Sequence, residues 1–285
     1  MINSRSFMLA VAVFTALTLS APFGFAGAED RVPRKERFGE PLPFQAEEEI
    51  LDFLLTADIT AVEELDVGIT DPRRVELVKD GITVRAVVRD FDETFERMRF
   101  DRDFYPRLRD SYIFDLAAYE LAKHFGLSNI PPVVRRSVNG VDATMQIWVE
   151  DALVEWDRFE DAITPPDLMD FQMQRQNMVV FDSVIGNVDR NNGNILYDAN
   201  WNYLLIDHSR AFLHGADKMP YIDQINWSSR YMYERLVELD EEILADLVSP
   251  VLGSEEIDGV LARRDKVVAR LDQLIEERGV EKVLF

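Results

Sequence analysis

Asp189, Asn194 and Asp207 are the residues of this sequence whose types and spacing suggest chemistry. Asp189 and Asn194 form a D-x-x-x-x-N pattern, and Asp207 ends the apolar run 204–206. A carboxylate in a loop can take a proton from a hydroxyl group, and carboxylate and amide oxygens are ligands of Mg²⁺ in proteins. The three residues therefore predict a general base beside a hard divalent cation.

A β-hairpin is the element that must position these side chains. The segments on either side of the loop 199–202 are rich in strand-forming residues. With Asp198 opposite Tyr203, counting back along both strands places Asn194 opposite Asp207. Directly opposed residues have Cβ atoms about 4.5–5.5 Å apart, so an amide and a carboxylate in this register can share one cation.

Two other interpretations of the same residues stay open. Asp, Asn and Gly are common in turns, so the segment 189–194 could be a turn without a chemical role. The segment could also be a calcium loop of the EF-hand type, with candidate ligands at positions one, three, five and twelve: Asn187, Asp189, Asn191 and Asp198. Asn at position six and Asp at position twelve depart from the Gly and Glu of that motif.

The charge of the chain limits its partners. Its 53 acidic and 31 basic side chains give a net charge of −22. A field of this sign repels nucleic acid and anionic membranes, and it repels nucleotides unless a metal or local arginines compensate. The sequence contains no cysteine, which excludes disulfides and thiolate metal sites.

The N-terminal segment has the pattern of a secretory signal. Arg5 precedes the apolar run 7–21, and residues 26–28 are small, as a signal peptidase requires. We therefore expect residues 1–28 to be a signal peptide and residues 29–45 to be a tether. The apolar run is short for a membrane span. We expect an exported protein without a stable membrane anchor, periplasmic or extracellular if the source is bacterial.

Hydrophobic periodicity predicts an α+β fold in two lobes. Residues 46–150 are expected to form an antiparallel-sheet lobe with one helix, and residues 151–285 a mainly helical lobe. Hairpin turns are predicted at Asp80-Gly81 and Asn139-Gly140. In the first lobe we expect elements at 47–58, 62–67, 73–78, 82–89, 111–125, 131–138 and 143–149. In the second we expect them at 167–185, 195–207, 222–238, 241–247 and 254–278.

Two segments around the three polar residues resemble motifs of atypical kinases. The segment 185–190 is similar to the IGN-x-DRH stretch of the secretory-pathway (Golgi casein) kinases, and the segment 205–212 resembles their LDNGRGFG stretch. Phosphatidylinositol kinases have similar motifs, DRHxxN and IDFG, and HipA-type kinases are more distant. The resemblance implies a two-lobed protein-kinase-like fold, with an antiparallel-sheet N-lobe and a mainly helical C-lobe.

The resemblance also implies roles for residues at matching positions. Asp189 would be the catalytic base, and Asn194 with Asp207 would hold Mg²⁺ or Mn²⁺ against the phosphates of ATP. Arg89 stands where kinases place the phosphate-binding Lys, and Asp115 where they place its Glu partner.

Two further segments would contact the nucleotide. Arg73 and Arg74, in the segment 71–74, stand where a phosphate-covering loop would be. The hinge between the lobes, against the adenine, would include Trp148 and Glu150.

The first lobe departs from these kinases. Arg89 replaces Lys, Asp115 is shorter than Glu, and no glycine-rich loop is present. Arginine binds phosphate or carboxylate bidentately and is not equivalent to lysine. Arg89 and Asp115 could instead be an ordinary surface ion pair, and His208 could contact phosphate or be structural.

These observations predict an exported, metal-dependent phosphotransferase that uses ATP to phosphorylate a hydroxyl acceptor, either a protein Ser/Thr or a sugar. Three other hypotheses stay open. The protein could be a pseudokinase that binds a nucleotide or a partner, a nucleotidyltransferase with the same metal geometry, or a calcium-loop protein.

Overall fold

The computed structural model describes residues 42–65, 72–100, 103–248 and 251–285. The predicted signal peptide at 1–28 and most of the predicted tether at 29–45 lie outside these residues. Within the described residues, no helix is both long and apolar enough to cross a membrane.

The fold is an antiparallel sheet with two helices, followed by a mainly helical half. The elements of the first half are α1 (Glu47–Thr56), β1 (Asp58–Glu64), β2 (Arg73–Lys79), β3 (Ile82–Arg89), β4 (Asp92–Phe100), β5 (Asp103–Ser111), α2 (Ile113–His124), β6 (Val133–Val138) and β7 (Val141–Ile147). Those of the second half are β8 (Leu153–Val154), α3 (Glu155–Glu160), α4 (Leu168–Ile185), β9 (Ile195–Tyr197), β10 (Tyr203–Leu205), α5 (Arg230–Glu238), α6 (Glu241–Val248) and α7 (Ser254–Arg278).

Five strands of the first half form one antiparallel sheet in the order β1-β2-β3-β7-β6. Its two tight turns fall at Asp80-Gly81 and Asn139-Gly140, and all four residues have positive φ. Two-residue hairpin loops need this left-handed backbone, which Gly, Asn and Asp tolerate best. Both predicted hairpins are confirmed.

Strand β1 begins earlier than the sequence predicts. We expected a strand at 62–67, and it spans Asp58–Glu64. Its residues are mostly exposed, and the pairing with β2 shifts register between Ile59 and Ala61. Because no alternating buried face marks this strand, hydrophobic periodicity does not locate its start.

The sequence did not predict the hairpin of β4 and β5. These strands form a separate two-stranded sheet, in which Asp92 lies opposite Ser111 and Phe100 opposite Asp103. No side chain of β4 is buried, so the strand lacks the apolar alternation that identifies a half-buried strand. Phe100 and Asp110 nevertheless line a cavity between the five-stranded sheet and the second half.

Helix α2 belongs to both halves of the molecule. It contacts β6 and β7 of the sheet and α6 of the helical half. Its apolar residues join the larger hydrophobic core with α4, α5, α6 and α7, whereas α1 and the five-stranded sheet form a smaller core. Because the larger core continues through α2, the helix holds the sheet against the second half.

The helices of the second half follow the predicted segments with two differences, and the first is α3 (Glu155–Glu160), which the sequence did not predict. Helix α4 has Asp167 as its N-cap, with the side chain accepting hydrogen bonds from two backbone N–H groups. The predicted helix 222–238 is instead a short 3₁₀ turn at Ile222–Gln224 followed by α5. Ser229 caps the start of α5 by accepting a hydrogen bond from the N–H of Met232, which ends any continuous helix before that point.

The register predicted for the second-half hairpin is wrong by one residue. Tyr203 pairs with Tyr197 rather than with Asp198, and the N–H of Ile206 donates to the carbonyl of Asn194. Asp198 belongs to the loop, where its carboxylate accepts the backbone N–H of Asn200 at 2.8 Å. An aspartate that bonds the backbone two residues on favours a turn over a strand. Asn194 is therefore not opposite Asp207.

Candidate active site

A cavity of about 930 Å³ lies between the five-stranded sheet and the β9–β10 hairpin. This volume is in the range of small-molecule binding sites. Six of the predicted site residues line it: Arg74, Arg89, Trp148, Asp189, Asn194 and Asp207. Its lining does not include the other three, Arg73, Asp115 and Glu150.

The loop that contains Asp189 begins where α4 ends. Gly186 terminates this helix in the left-handed conformation, with φ at 64°, as glycine at a helix C-terminus commonly does. The buried side chain of Asn187 donates to Asp182 at 3.0 Å and accepts the backbone N–H of Asp189 at 3.0 Å. The backbone of Asp189 is thereby fixed to the last turns of α4.

The Asp189 carboxylate has two hydrogen-bond partners. Oδ1 accepts from Nδ2 of Asn191 at 2.8 Å, and Oδ2 accepts from Nη1 of Arg210 at 3.0 Å. Burial raises the pKa of Asp189, the charge of Asp207 adds to this, and Asn191 and Arg210 oppose it by stabilising the ionised form. A carboxyl with a raised pKa in a cavity is a candidate general base.

Arg190 holds the loop and the hairpin together. Its guanidinium forms a buried bidentate pair with Asp182, at 2.8 and 3.1 Å. Nη1 also donates to the carbonyls of Asn194 and Ile206, both at 2.8 Å. These contacts span α4 and both strands of the hairpin, so Arg190 sets the relative position of Asn194 and the residues that precede Asp207.

Asn194 and Asp207 both face the cavity despite the corrected register. Asp207 lies beyond the last pair of β10 and has a positive φ of 56°, a conformation uncommon outside glycine that redirects the side chain. Nδ2 of Asn194 donates to the carbonyl of Asp189 at 2.9 Å. This bond orients the amide, and among the described residues its oxygen has no hydrogen-bond donor.

The described residues contain no group of three or more His, Asp or Glu side chains that could hold a metal. Mg²⁺ commonly uses one or two protein oxygens and completes its shell with water and phosphate. The Asp207 carboxylate, 30% exposed, and the oriented Asn194 amide supply such a partial set. These two residues would hold a divalent cation, which would screen the phosphate charge.

Arg89 and Asp115 form a buried ion pair rather than a surface one. Nη1 of Arg89 lies 3.1 Å from Oδ2 of Asp115, and Nη2 lies 3.8 Å from Oδ2 of Asp207. Nε of Arg89 is buried without a hydrogen-bond partner among the described residues. A buried donor without an acceptor is costly, so the hydrogen-bonding capacity of Arg89 is not fully used.

Asp115 also contacts the segment after Asp207. Its Oδ1 accepts the backbone N–H of His208 at 2.8 Å. Burial of Asp115 opposes its ionisation, but Arg89 and His208 outweigh this effect and hold the pKa of the carboxyl below its usual range. His208 is fully buried and accepts from Nη2 of Arg190 at Nε2, which makes it a structural residue.

The predicted phosphate-covering residues have other partners. Arg73 pairs with Asp90. Arg74 pairs with Glu63 at 2.6 Å, and its guanidinium lies 5.2 Å from the Trp148 ring centroid. Both arginines belong to β2, and Asp71 of the same predicted loop lies outside the described residues.

The two predicted hinge residues, Trp148 and Glu150, have different surroundings. Trp148 lines the cavity, and its backbone N–H donates to the carbonyl of Arg85 at 2.9 Å. Glu150 instead pairs with Arg85, with Nε to Oε1 at 2.7 Å. The Trp148 ring therefore lies at the cavity wall beside the guanidinium groups of Arg74 and Arg85, whereas Glu150 supports β3 from outside the cavity.

A calcium loop does not form from the four candidate ligands. The amide of Asn187 is buried and occupied by Asp182 and by the backbone of Asp189. Asp198 accepts bonds within the hairpin loop. Because Asn187 and Asp198 are engaged by these partners, they are not available to bind one cation together with Asp189 and Asn191.

Sequence reasoning missed Asp110, Phe100 and the role of Arg210. Arg210 belongs to the motif segment 205–212 and follows Asp207 by three residues. This spacing is the sequence signal that could have identified it. Asp110, which accepts from Nε of Arg210 at 2.7 Å, lies in the hairpin that the sequence did not predict. No local pattern identifies a contact between residues so far apart in the chain.

Solved structures with the same fold were found by comparison. No family model matches the sequence, and no curated protein does. Fam20 of hydra, solved with a sugar, is 15% identical with a TM-score of 0.62, over 84% of this chain and 91% of that one. The Golgi casein kinase with Mn/ADP bound is 16% identical with a TM-score of 0.58, over 84% and 78%. The proinflammatory kinase CtkA of Helicobacter pylori is 10% identical with a TM-score of 0.51, over 81% and 99%.

The chain therefore has a two-lobed, kinase-like α+β fold, as the sequence predicted. The resemblance to atypical kinases is confirmed at the level of the fold, with Fam20 and the Golgi casein kinase among the similar structures. The TM-scores of 0.51 to 0.62 establish a shared fold. Because the sequence identities are 16% or less, the assignment of roles to side chains depends on the site itself.

Proposed function

We propose that this protein is a metal-dependent phosphotransferase that uses ATP to phosphorylate a hydroxyl acceptor. The observation that supports it most is the convergence of Asp189, Asn194, Asp207 and Arg89 on one cavity. A base, two metal-binding oxygens and a buried cation are the parts that phosphoryl transfer requires.

In this reaction the acceptor oxygen forms a bond to the terminal phosphorus of ATP, and the bond from that phosphorus to its bridging oxygen breaks. ADP leaves with the bridging oxygen. Asp189 accepts the proton of the hydroxyl group, while Arg89 stabilises negative charge on the phosphates. A divalent cation, when bound, adds further stabilisation of that charge.

The nucleotide would occupy the cavity with its base toward Trp148. Asn194 and Asp207 are the proposed ligands of Mg²⁺ or Mn²⁺, and Arg89 and Arg74 the proposed phosphate contacts. The Golgi casein kinase with Mn/ADP bound is a precedent for this combination in the same fold.

The acceptor is proposed as a class, a protein Ser/Thr or a sugar hydroxyl. Hydra Fam20 was solved with a sugar, and the Golgi casein kinase takes its name from a protein substrate. Export through the predicted signal peptide at 1–28, and a periplasmic or extracellular location in a bacterium, stay predictions.

Transfer of labelled phosphate from ATP with Mg²⁺ or Mn²⁺, to panels of Ser/Thr peptides and oligosaccharides, tests the function. Asp189→Asn should lower transfer by about 10²-fold or more while nucleotide binding persists. Asp207→Asn should abolish metal-dependent nucleotide binding, and the exposed Asp246→Asn serves as a control. Undiminished transfer by Asp207→Asn would contradict the mechanism.

The same assay separates the other hypotheses. The engagement of Arg89 by Asp115 and Asp207 is the feature that favours a pseudokinase, because phosphate must compete for that guanidinium. Nucleotide binding without transfer to any acceptor would support a pseudokinase. Mass spectrometry of a modified acceptor would distinguish an added phosphate from an added nucleotide.

A further inference from the structure

Arg210 lies next to the proposed base and has no role in the function described so far. Its guanidinium lines the cavity. Nη1 donates to Oδ2 of Asp189 at 3.0 Å, and Nε donates to Oδ2 of Asp110 at 2.7 Å. The same side chain therefore joins the catalytic loop to the β4–β5 hairpin.

The guanidinium is held on several sides. Asp110 is only 1% exposed, so its bond to Nε is shielded from water. The Phe100 ring lies under the guanidinium, with its centroid 4.7 Å from Cζ. The backbone of Ser111 also donates to the carbonyl of Ser209 at 2.9 Å, which keeps the strand of Asp110 beside Arg210. Such a fixed arginine loses little conformational freedom when it binds an anion.

One edge of this guanidinium is uncommitted. Among the described residues, Nη2 of Arg210 has no hydrogen-bond acceptor. The planar fork of arginine matches the oxygens of a phosphate group bidentately. Arg210 is thus positioned, by Asp110 and Phe100, to present an N–H edge to a ligand in the cavity.

The other cavity arginines are paired with carboxylates that have no proposed role as a base. Arg74 pairs with Glu63, and Arg85 with Glu150. Arg89 pairs with Asp115. The partner of Arg210 at Nη1 is Asp189, whose oxygen must be free to accept a proton from the acceptor.

We propose that Arg210 binds the terminal phosphate of the nucleoside triphosphate, and that this contact draws Nη1 away from Asp189 and frees the base. This inference rests on the proposed function. Without nucleotide, Nη1 of Arg210 bonds the Asp189 carboxylate. With nucleotide, the phosphate replaces Asp189 as the partner of Arg210. Asp110 keeps the guanidinium anchored in both states.

Affinities for a non-hydrolysable triphosphate analogue and for ADP, each measured with Mn²⁺, test the proposal. Arg210→Gln should weaken binding of the triphosphate about tenfold or more, as loss of a charged hydrogen bond predicts. Its affinity for ADP should stay within about twofold, because ADP lacks the terminal phosphate. Arg210→Lys should recover part of the triphosphate affinity.

Arg109→Gln is the matched control. Arg109 lies in the same hairpin and pairs with Asp92 at 2.7 Å, and the cavity lining does not include it. Arg109→Gln should leave unchanged the ratio of the affinity for the triphosphate analogue to the affinity for ADP. If Arg210→Gln does not fold, Asp110→Asn, which removes charge from the anchor of Nε, should lower the same ratio.

The possible outcomes are distinct. Equal weakening of triphosphate and ADP binding, or no weakening, would overturn the proposal for Arg210 and leave the proposed function standing. A wild-type protein that binds neither nucleotide would overturn both. Selective loss of triphosphate affinity, with a matching fall in the rate of transfer, would support it.

Discussion

The side chain of Arg190 connects the Asp189 loop to α4 and to the β9–β10 hairpin through hydrogen bonds. Its side chain is 3% exposed and bonds Asp182 bidentately, while Nη1 satisfies two backbone carbonyls of the hairpin. A buried ion pair of this kind contributes little net stability by itself. Its role is to position the strands, and its loss leaves a buried charge without compensation.

Asp182→Asn tests this role of Arg190. The change removes the negative charge that compensates a buried guanidinium, so we expect the free energy of unfolding to fall by about 3–5 kcal/mol. Urea denaturation followed by circular dichroism measures the loss. Asp246→Asn, at an exposed position in α6, should change stability by less than about 0.5 kcal/mol. Similar values for the two variants would show that Asp182 is dispensable.

At the scale of elements, α7 fixes the end of α4. Arg263 of α7 is fully buried and donates to the carbonyls of Val184 and Ile185, the last residues of α4, at 2.9 and 3.3 Å. It also donates to the carbonyls of Leu213 and Gly215, both at 2.6 Å. One side chain thus contacts both ends of the segment that contains the candidate site residues 189–210.

Gly186→Ala should disturb this contact. A Cβ at Gly186 would lie 2.8 Å from Cζ and Nε of Arg263, in addition to the cost of an alanine at φ 64°. Gly215→Ala is the matched control, because Gly215 has φ 68° and no atom within 4 Å of the added Cβ. We expect the free energy of unfolding to fall by about 1–2 kcal/mol in the control, which is the cost of the left-handed conformation. The fall should be larger for Gly186→Ala. If thermal or urea unfolding shows the same loss of stability for both variants, the Arg263 side chain moves to accommodate the added Cβ without an energetic cost.

The elements that the sequence predicted well are those with strong local signals. Helix α7 was predicted at its observed bounds because apolar residues recur on one face over 25 residues. The turns at Asp80-Gly81 and Asn139-Gly140 were predicted because few residues tolerate positive φ. The β4–β5 hairpin was missed because β4 has no buried residue and the buried residues of β5 do not alternate regularly.

The candidate site shows the same division. Asp189, Asn194 and Asp207 were predicted from motif spacing, but the hairpin register was wrong because Asp198 bonds the loop backbone instead of ending the strand. The bond of Arg210 to Asp110 joins residues that are 100 positions apart. Only the packing of the two halves brings such residues together, so no local pattern contains that information.

At the scale of the whole molecule, His208 links the two halves through polar contacts. Its backbone N–H bonds Asp115 of α2, and its ring accepts from Arg190. Because Nε2 accepts this bond, the ring proton is on Nδ1, which faces Oδ1 of Asp115 at 3.7 Å. Burial lowers the pKa of His208 and the charge of Arg190 adds to this effect, while the nearby carboxylate of Asp115 opposes it.

The lowered pKa makes stability depend on pH. An unfolded chain takes up the histidine proton near pH 6.5, whereas folded His208 stays neutral to lower pH. The unfolded state therefore binds more protons below about pH 6.5. The contribution of His208 is complete above that pH and is lost as pH falls, by at most about 1.4 kcal/mol per pH unit.

His208→Gln should reduce this dependence. Urea unfolding at about pH 7.5 and pH 5.5 should show a smaller loss of stability in the variant than in the wild type. Val237→Ala, at an exposed and uncharged position in α5, should keep the wild-type dependence. An unchanged difference between the two pH values in His208→Gln would show that other groups determine the acid sensitivity.

The sharing of Asp115 has a consequence for fragments of the protein. Asp115 lies in the first half, yet one of its oxygens bonds Arg89 and the other bonds the backbone of His208 in the second half. Asp110 is likewise completed by Arg210. A chain cut between β7 and β8 would break the bonds of Asp110 to Arg210 and of Asp115 to the backbone of His208, so each piece would lose buried polar partners that lie in the other piece. The two pieces should therefore be poorly folded alone and recover structure when mixed, as in fragment complementation.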